Sequence, residues 1–63
     1  MNDYHIVPKQ RRGLLGLGRM RWWFAVVHSN GQIILTSETY SSQLARDDSM
    51  RNLSNTYSIP IRY

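Results

Sequence analysis

Apolar and polar positions change rhythm several times along this chain. Residues 4–7 form a short apolar run that meets Pro8. Proline has no N–H to give to a ladder, so the pattern predicts a first strand over 4–7 that stops there, at or near a sheet edge. Residues 10–20 are basic and punctuated by Gly13, Gly16 and Gly18 around Leu14, Leu15 and Leu17, which predicts a long connection. Residues 21–29 are dense in aromatic and β-branched side chains, and residues 32–40 contain Ile33, Ile34, Leu35 and Thr36. With Asn30-Gly31 between them, the two runs predict a hairpin.

The register of that hairpin decides which side chains share a face. A two-residue turn at Asn30 and Gly31 sets Val27 opposite Ile34, whereas a type I turn at Ser29 and Asn30 with Gly31 as a bulge sets Val27 opposite Ile33. The bulged register is preferred. It gathers Trp23, Ala25, Val27, Ile33 and Leu35 into one apolar surface, with Ser37 at its end, for a helix to cover. Trp22, Phe24, Val26, Ile34 and Thr36 are then expected on the outer face.

Beyond residue 40 the period becomes helical. Ser41 or Ser42 can cap an N-terminus, and Ala45, Ser49, Met50, Leu53 and Tyr57 recur at three- and four-residue steps. Asn55 can take the left-handed conformation that ends helices. Ile59 and Ile61 then alternate with Ser58, Pro60 and Arg62, as in a closing strand. The predicted class is α+β: a β-β-β-α-β unit, an antiparallel sheet with one helix packed on one face. Residues 1–63 are expected to form a single domain without internal repeats.

Size sharpens this picture. A 63-residue chain buries only about 60% of its unfolded surface, so its core is marginal. Cysteine is absent, which removes disulfides and thiolate metal sites as reinforcement and leaves dimerisation as the expected supplement. Residues 1–9 lack the basic and apolar regions of a secretory signal, and no apolar run has membrane-spanning length. A soluble, cytoplasmic homodimer is expected.

Net charge is +4, and its distribution is uneven. Lys9, Arg11, Arg12, Arg19 and Arg21 lie close together with no acid between them, while Arg46, Arg51 and Arg62 are balanced by Asp3, Glu38, Asp47 and Asp48. One end of the molecule should therefore carry the positive potential, and polyanions become credible partners.

The run Asn30-Gly31-Gln32-Ile33-Ile34-Leu35-Thr36-Ser37-Glu38, followed by Tyr40, closely resembles the hallmark of the YegP-like domains. Ser42, Ala45, Ser49, Met50 and Leu53 fall at corresponding positions without a gap, so the resemblance spans roughly residues 21–57. It implies a β3-α-β unit used either in tandem or as a homodimer, with merged sheets and exchanged C-terminal strands. A single unit implies the homodimer, with residues 58–63 as the exchanged strand and Ile59, Ile61 and Tyr63 at the dimer interface. The family brings no established activity with it. Two departures stand out. Similar domains alternate Arg or Lys with aromatic residues along the second strand, where this chain has Trp22, Phe24 and Val26, and its first connection is longer and more basic.

Candidate function follows from these surfaces. An apolar outer face bearing Trp22 and Phe24 beside a basic loop suits a protein partner, because exposed apolar area marks interaction sites and Trp and Arg anchor them. In the alternative, Leu14, Leu15 and Leu17 fold over that face as a second small core. Nucleic acid is the competing partner, with Lys9, Arg11, Arg12, Arg19 and Arg21 on phosphates and Trp22 stacked on a base. Catalysis is not expected. His5 and His28 are the only histidines, and Asp47 and Asp48 are helix neighbours pointing about 100° apart, which cannot converge as an acid/base pair. No cofactor or metal is implied. The Gly13 to Gly18 stretch lacks the Gly-Lys-Ser/Thr ending of a phosphate loop. Membrane insertion is also not expected, because its apolar and basic residues show no helical segregation.

Overall fold

The computed structural model describes residues 3–13 and 18–63. Strands β1 (Tyr4–Arg11), β2 (Arg21–His28) and β3 (Ile33–Thr36) form one antiparallel sheet in the order β1-β2-β3, and helix α1 (Gln43–Tyr57) follows. The α+β class, with one helix packed against a three-stranded antiparallel sheet, agrees with the sequence pattern. The expectations for Leu14, Leu15, Gly16 and Leu17 lie outside the described residues.

Pro8 does not end the first strand, contrary to expectation: β1 runs through it to Arg11. The reason is where its missing donor would point. The N–H of Ile6 donates to Pro60 O and its carbonyl accepts from Arg62 N, both at 2.8 Å, so the polar groups of Ile6 face away from β2. Strand alternation turns Pro8 the same way. Its partner Phe24 faces oppositely, towards Ser37, so proline here removes no bond of the β1–β2 ladder.

The hairpin adopts the bulged register, with Val27 opposite Ile33. Gly31 N–H donates to His28 O and His28 N–H to Gln32 O, each at 2.8 Å, and Gly31 has φ of 92°. That is a type I turn at Ser29 and Asn30 with glycine in the left-handed position that a side chain would strain. Asn30 Oδ1 also accepts Gln32 N–H at 2.8 Å, which holds the turn.

The expected faces of β2 are reversed, whereas Leu35 and Thr36 of β3 keep theirs. Phe24 and Val26, placed outside by the sequence reading, form the core with Ile6 and Met50 under the helix. Trp23, Ala25 and Val27 lie on the opposite face by alternation. Two features of the packing account for this. A second irregularity leaves Ile34 between the Val27–Ile33 and Val26–Leu35 pairs, so Ile33 and Leu35 point to different faces and no five-residue apolar set exists. β1 also adds Ile6 to the Val26 side. The core is small: Ile6 and Met50 are fully buried, and Tyr40, Leu53, Ile59 and Ile61 pack around it.

Ser42 caps the helix, its Oγ accepting Ala45 N–H at 3.1 Å. The left-handed C-cap is Ser58 (φ 56°, ψ 39°), not Asn55, and Tyr57 points outward at 65% exposure. Ser54 Oγ donates to Ile59 O at 2.6 Å while Ser54 O accepts Ile59 N–H at 3.2 Å, which turns the chain back to the sheet. There Ile61 forms a parallel bridge with Ile6 of its own chain, in place of an extended last strand.

Candidate binding surface

The register that buries Phe24 determines what the opposite sheet face displays. His5, Val7, Lys9 and Arg11 of β1 lie opposite Val27, Ala25, Trp23 and Arg21 of β2, all on the face away from the helix. Ile33 and Thr36 of β3 join that face beside Val27 and Ala25. Its centre is apolar and one end is basic. Trp23, Lys9, Arg11 and Arg21 meet at that end.

β3 stops at Thr36, opposite Ala25. Beyond it, single contacts close the β2 edge: Ser37 Oγ accepts Phe24 N–H at 2.9 Å, and Trp22 and Tyr40 exchange backbone bonds at 3.3 and 2.7 Å. The irregular stretch leaves an open concavity of about 330 Å³ lined by Arg11, Arg21, Trp23, Thr36, Ser37 and Thr39. A second, of about 280 Å³, is lined by Arg11, Arg12, Gly13 and Arg21. Arg11 and Arg21 border both.

Lys9, Arg11, Arg12, Arg19 and Arg21 are all exposed, as a binding role requires. Among the described residues, ion pairs join Arg46 to Asp47 and Arg51 to Asp48, and none engages this cluster. Arg11 and Arg21 are direct cross-strand partners. Like charges so placed repel each other, and an anion between them relieves that repulsion.

The two aromatic members of the expected site lie elsewhere. Phe24 is 6% exposed in the core, its ring stacked 6.3 Å from that of Tyr40. Trp22 is half-buried on the helix side, beneath the Arg46 guanidinium. Trp23, expected in the core, is half-buried on the outer face beside Lys9. Of the expected interface residues, Ile59 and Ile61 pack on the core of their own chain, and Tyr63 is 84% exposed.

Arg46 has a role that the sequence reading did not assign. It is 3% exposed, and its Nη1 donates to Lys9 O at 2.8 Å and Gln10 Oε1 at 3.0 Å. Its Nε donates to Asp47 Oδ1 at 3.0 Å. The helix thus holds the end of β1 that carries Lys9 and Arg11. Its four-residue spacing to Met50, followed by three to Leu53, was the available signal. Among the described residues, no three His, Cys, Asp or Glu side chains gather as metal ligands. Asp47 is turned to Arg46 and Asp48 to Arg51. No helix among them is long and apolar enough to cross a membrane.

A three-stranded antiparallel sheet with one helix on one face and a basic, aromatic end on the other defines a small α+β domain with a surface to offer. The chain belongs to the family described as Domain of unknown function (DUF1508), the YegP-like domains, whose model matches residues 20–57. No curated protein and no solved structure matches it.

Proposed function

We propose that this protein is a homodimeric binding module without chemistry of its own, which receives a negatively charged macromolecule on its outer sheet face. The observation that carries this reading is Arg11 opposite Arg21 on an open face, with Lys9 and Trp23 beside them and no carboxylate paired to any of these cations among the described residues. Such an arrangement is costly without an anion and favourable with one.

The dimer in this proposal forms by exchange of residues 58–63. Ile59 and Ile61 pack on the core, and two backbone bonds at Ile6 tie the segment to β1. Delivered from a second copy, the same segment makes the same bonds to Ile6, with Ser58 as the hinge. A cytoplasmic location accords with the absence of cysteine.

A protein partner is the second reading, favoured by Ile33, Ile34 and Leu35 on edge strand β3, which are 57%, 47% and 49% exposed. Titration of the protein with inorganic polyphosphate at two salt concentrations, with light scattering on the same samples, tests the main proposal. Salt-sensitive binding by a dimer is expected. Absence of binding at low salt overturns the polyanion reading, and a monomeric mass overturns the dimer.

A further inference from the structure

We infer that the polyanion is single-stranded nucleic acid, bound with a phosphate between Arg11 and Arg21 and a base against Trp23. The inference rests on the binding-module reading above and names its ligand. Arg11 and Arg21 are ladder partners at a hydrogen-bonded position, with Cα atoms about 5.5 Å apart, a separation that lets both guanidinium groups reach one phosphate. Trp23 lies two residues from Arg21 on the same face, about 7 Å along β2, and borders the same concavity. A phosphate and the base attached through its sugar span a comparable distance.

The lining narrows the choice of polyanion. A polyphosphate or an acidic peptide needs the arginines and gains nothing from an indole. A base does gain, because every base presents a π-face for stacking, a contribution that tolerates any sequence. Thr36 and Thr39, on the concavity wall, supply hydroxyls for sugar or phosphate oxygens. Duplex fits less well, since its base faces are already stacked on one another and only groove edges and phosphates remain for a protein. Lys9, directly opposite Trp23, and Arg12, at the second concavity, lie where neighbouring phosphates of an extended strand would pass.

The test uses the full chain and a labelled oligothymidylate, with inorganic polyphosphate, a polyglutamate peptide and duplex DNA as competitors. Oligothymidylate is expected to bind most tightly. Trp23→Val should weaken it about tenfold while leaving polyphosphate unchanged. Arg11→Gln should weaken both and reduce the slope of log K against log salt by about 0.7 for the single strand. In the wild-type chain, the Trp23 indole N–H resonance should move on adding oligothymidylate and stay in place with polyphosphate, a readout independent of whether the valine variant folds. Equal binding of oligothymidylate and polyphosphate without movement of Trp23 overturns the nucleic-acid assignment and leaves the polyanion reading standing. Preference for duplex or for polyglutamate overturns it in favour of that partner, and no binding to any of the four overturns both readings.

Discussion

The guanidinium carbon of Arg46 lies 5.1 Å from the ring centroid of Trp22, so a buried cation from the helix closes over an aromatic from the central strand. The same side chain bonds Lys9 O and Gln10 Oε1 on β1. One residue therefore joins the helix to both strands that carry the basic surface.

Removing that side chain leaves two acceptors and the Trp22 face without their partner. Arg46→Ala should cost about 2–3 kcal/mol, combining charge-assisted hydrogen bonds with the cation–π contact. Arg46→Lys keeps the charge but lacks the planar fork that reaches both acceptors while lying over a ring, so it should recover less than half of the loss. Urea unfolding midpoints measure both. Equal stability of the lysine variant and the wild type would show that charge alone matters here.

The reversed faces give a second prediction. Phe24→Ser removes a core ring and buries a hydroxyl, which should cost about 3–5 kcal/mol and unfold a domain this small. Trp23→Ser, one position along on the outer face, should leave a folded chain with cooperative thermal unfolding. Circular dichroism of the two variants checks the assignment. The opposite result, a folded Phe24 variant and an unfolded Trp23 variant, restores the face order expected from the sequence.

Several of the residues that resemble the family hallmark turn out to be scaffold. Asn30 and Gly31 build the hairpin turn, Ser37 stands in for a strand where β3 ends, and Tyr40 bridges Trp22 and stacks on Phe24. The turn, the Val27–Ile33 pairing beside it and the Ser42 cap are local, which is why the hairpin and the helix cap were legible in sequence. Ser37 and Tyr40 act on β2 from well along the chain, and the register beyond Ile33 was not legible. Nor were the faces. They depend on Ile6 from a distant strand and on the irregularity at Ile34. Along β2 successive positions point to opposite sides, so an error in face exchanges every β2 side chain at once, while the irregularity leaves Leu35 and Thr36 on their expected sides. This exchanged Trp22 for Trp23 in the binding surface. The basic cluster itself was legible from its clumping along the chain. Arg46 was missed because an arginine on a helix next to an aspartate ordinarily faces solvent.

The C-terminal segment supports the last prediction. Ile59 and Ile61 pack against a core whose fully buried large side chains, among the described residues, are Ile6 and Met50, and the segment satisfies both polar groups of Ile6 through Pro60 and Arg62. Deleting residues 58–63 exposes this apolar contact and frees the outer edge of β1, whose N–H and C=O groups then template pairing with other chains. A domain with only about 5 kcal/mol of total stability does not tolerate that loss. The truncated chain should be unfolded or aggregated by light scattering and circular dichroism, whether the segment docks on its own chain or on a second copy. Adding a synthetic peptide of residues 58–63 should restore the fold in either arrangement, because the docking site at Ile6 is the same, so the mass of the full chain is what separates them. Under exchange, the full chain should scatter light with the mass of two copies, whereas the truncated chain with its peptide should have the mass of one chain plus one peptide. A stable folded monomer without any peptide would show that the segment contributes nothing to the core, and with it the exchanged dimer would fail.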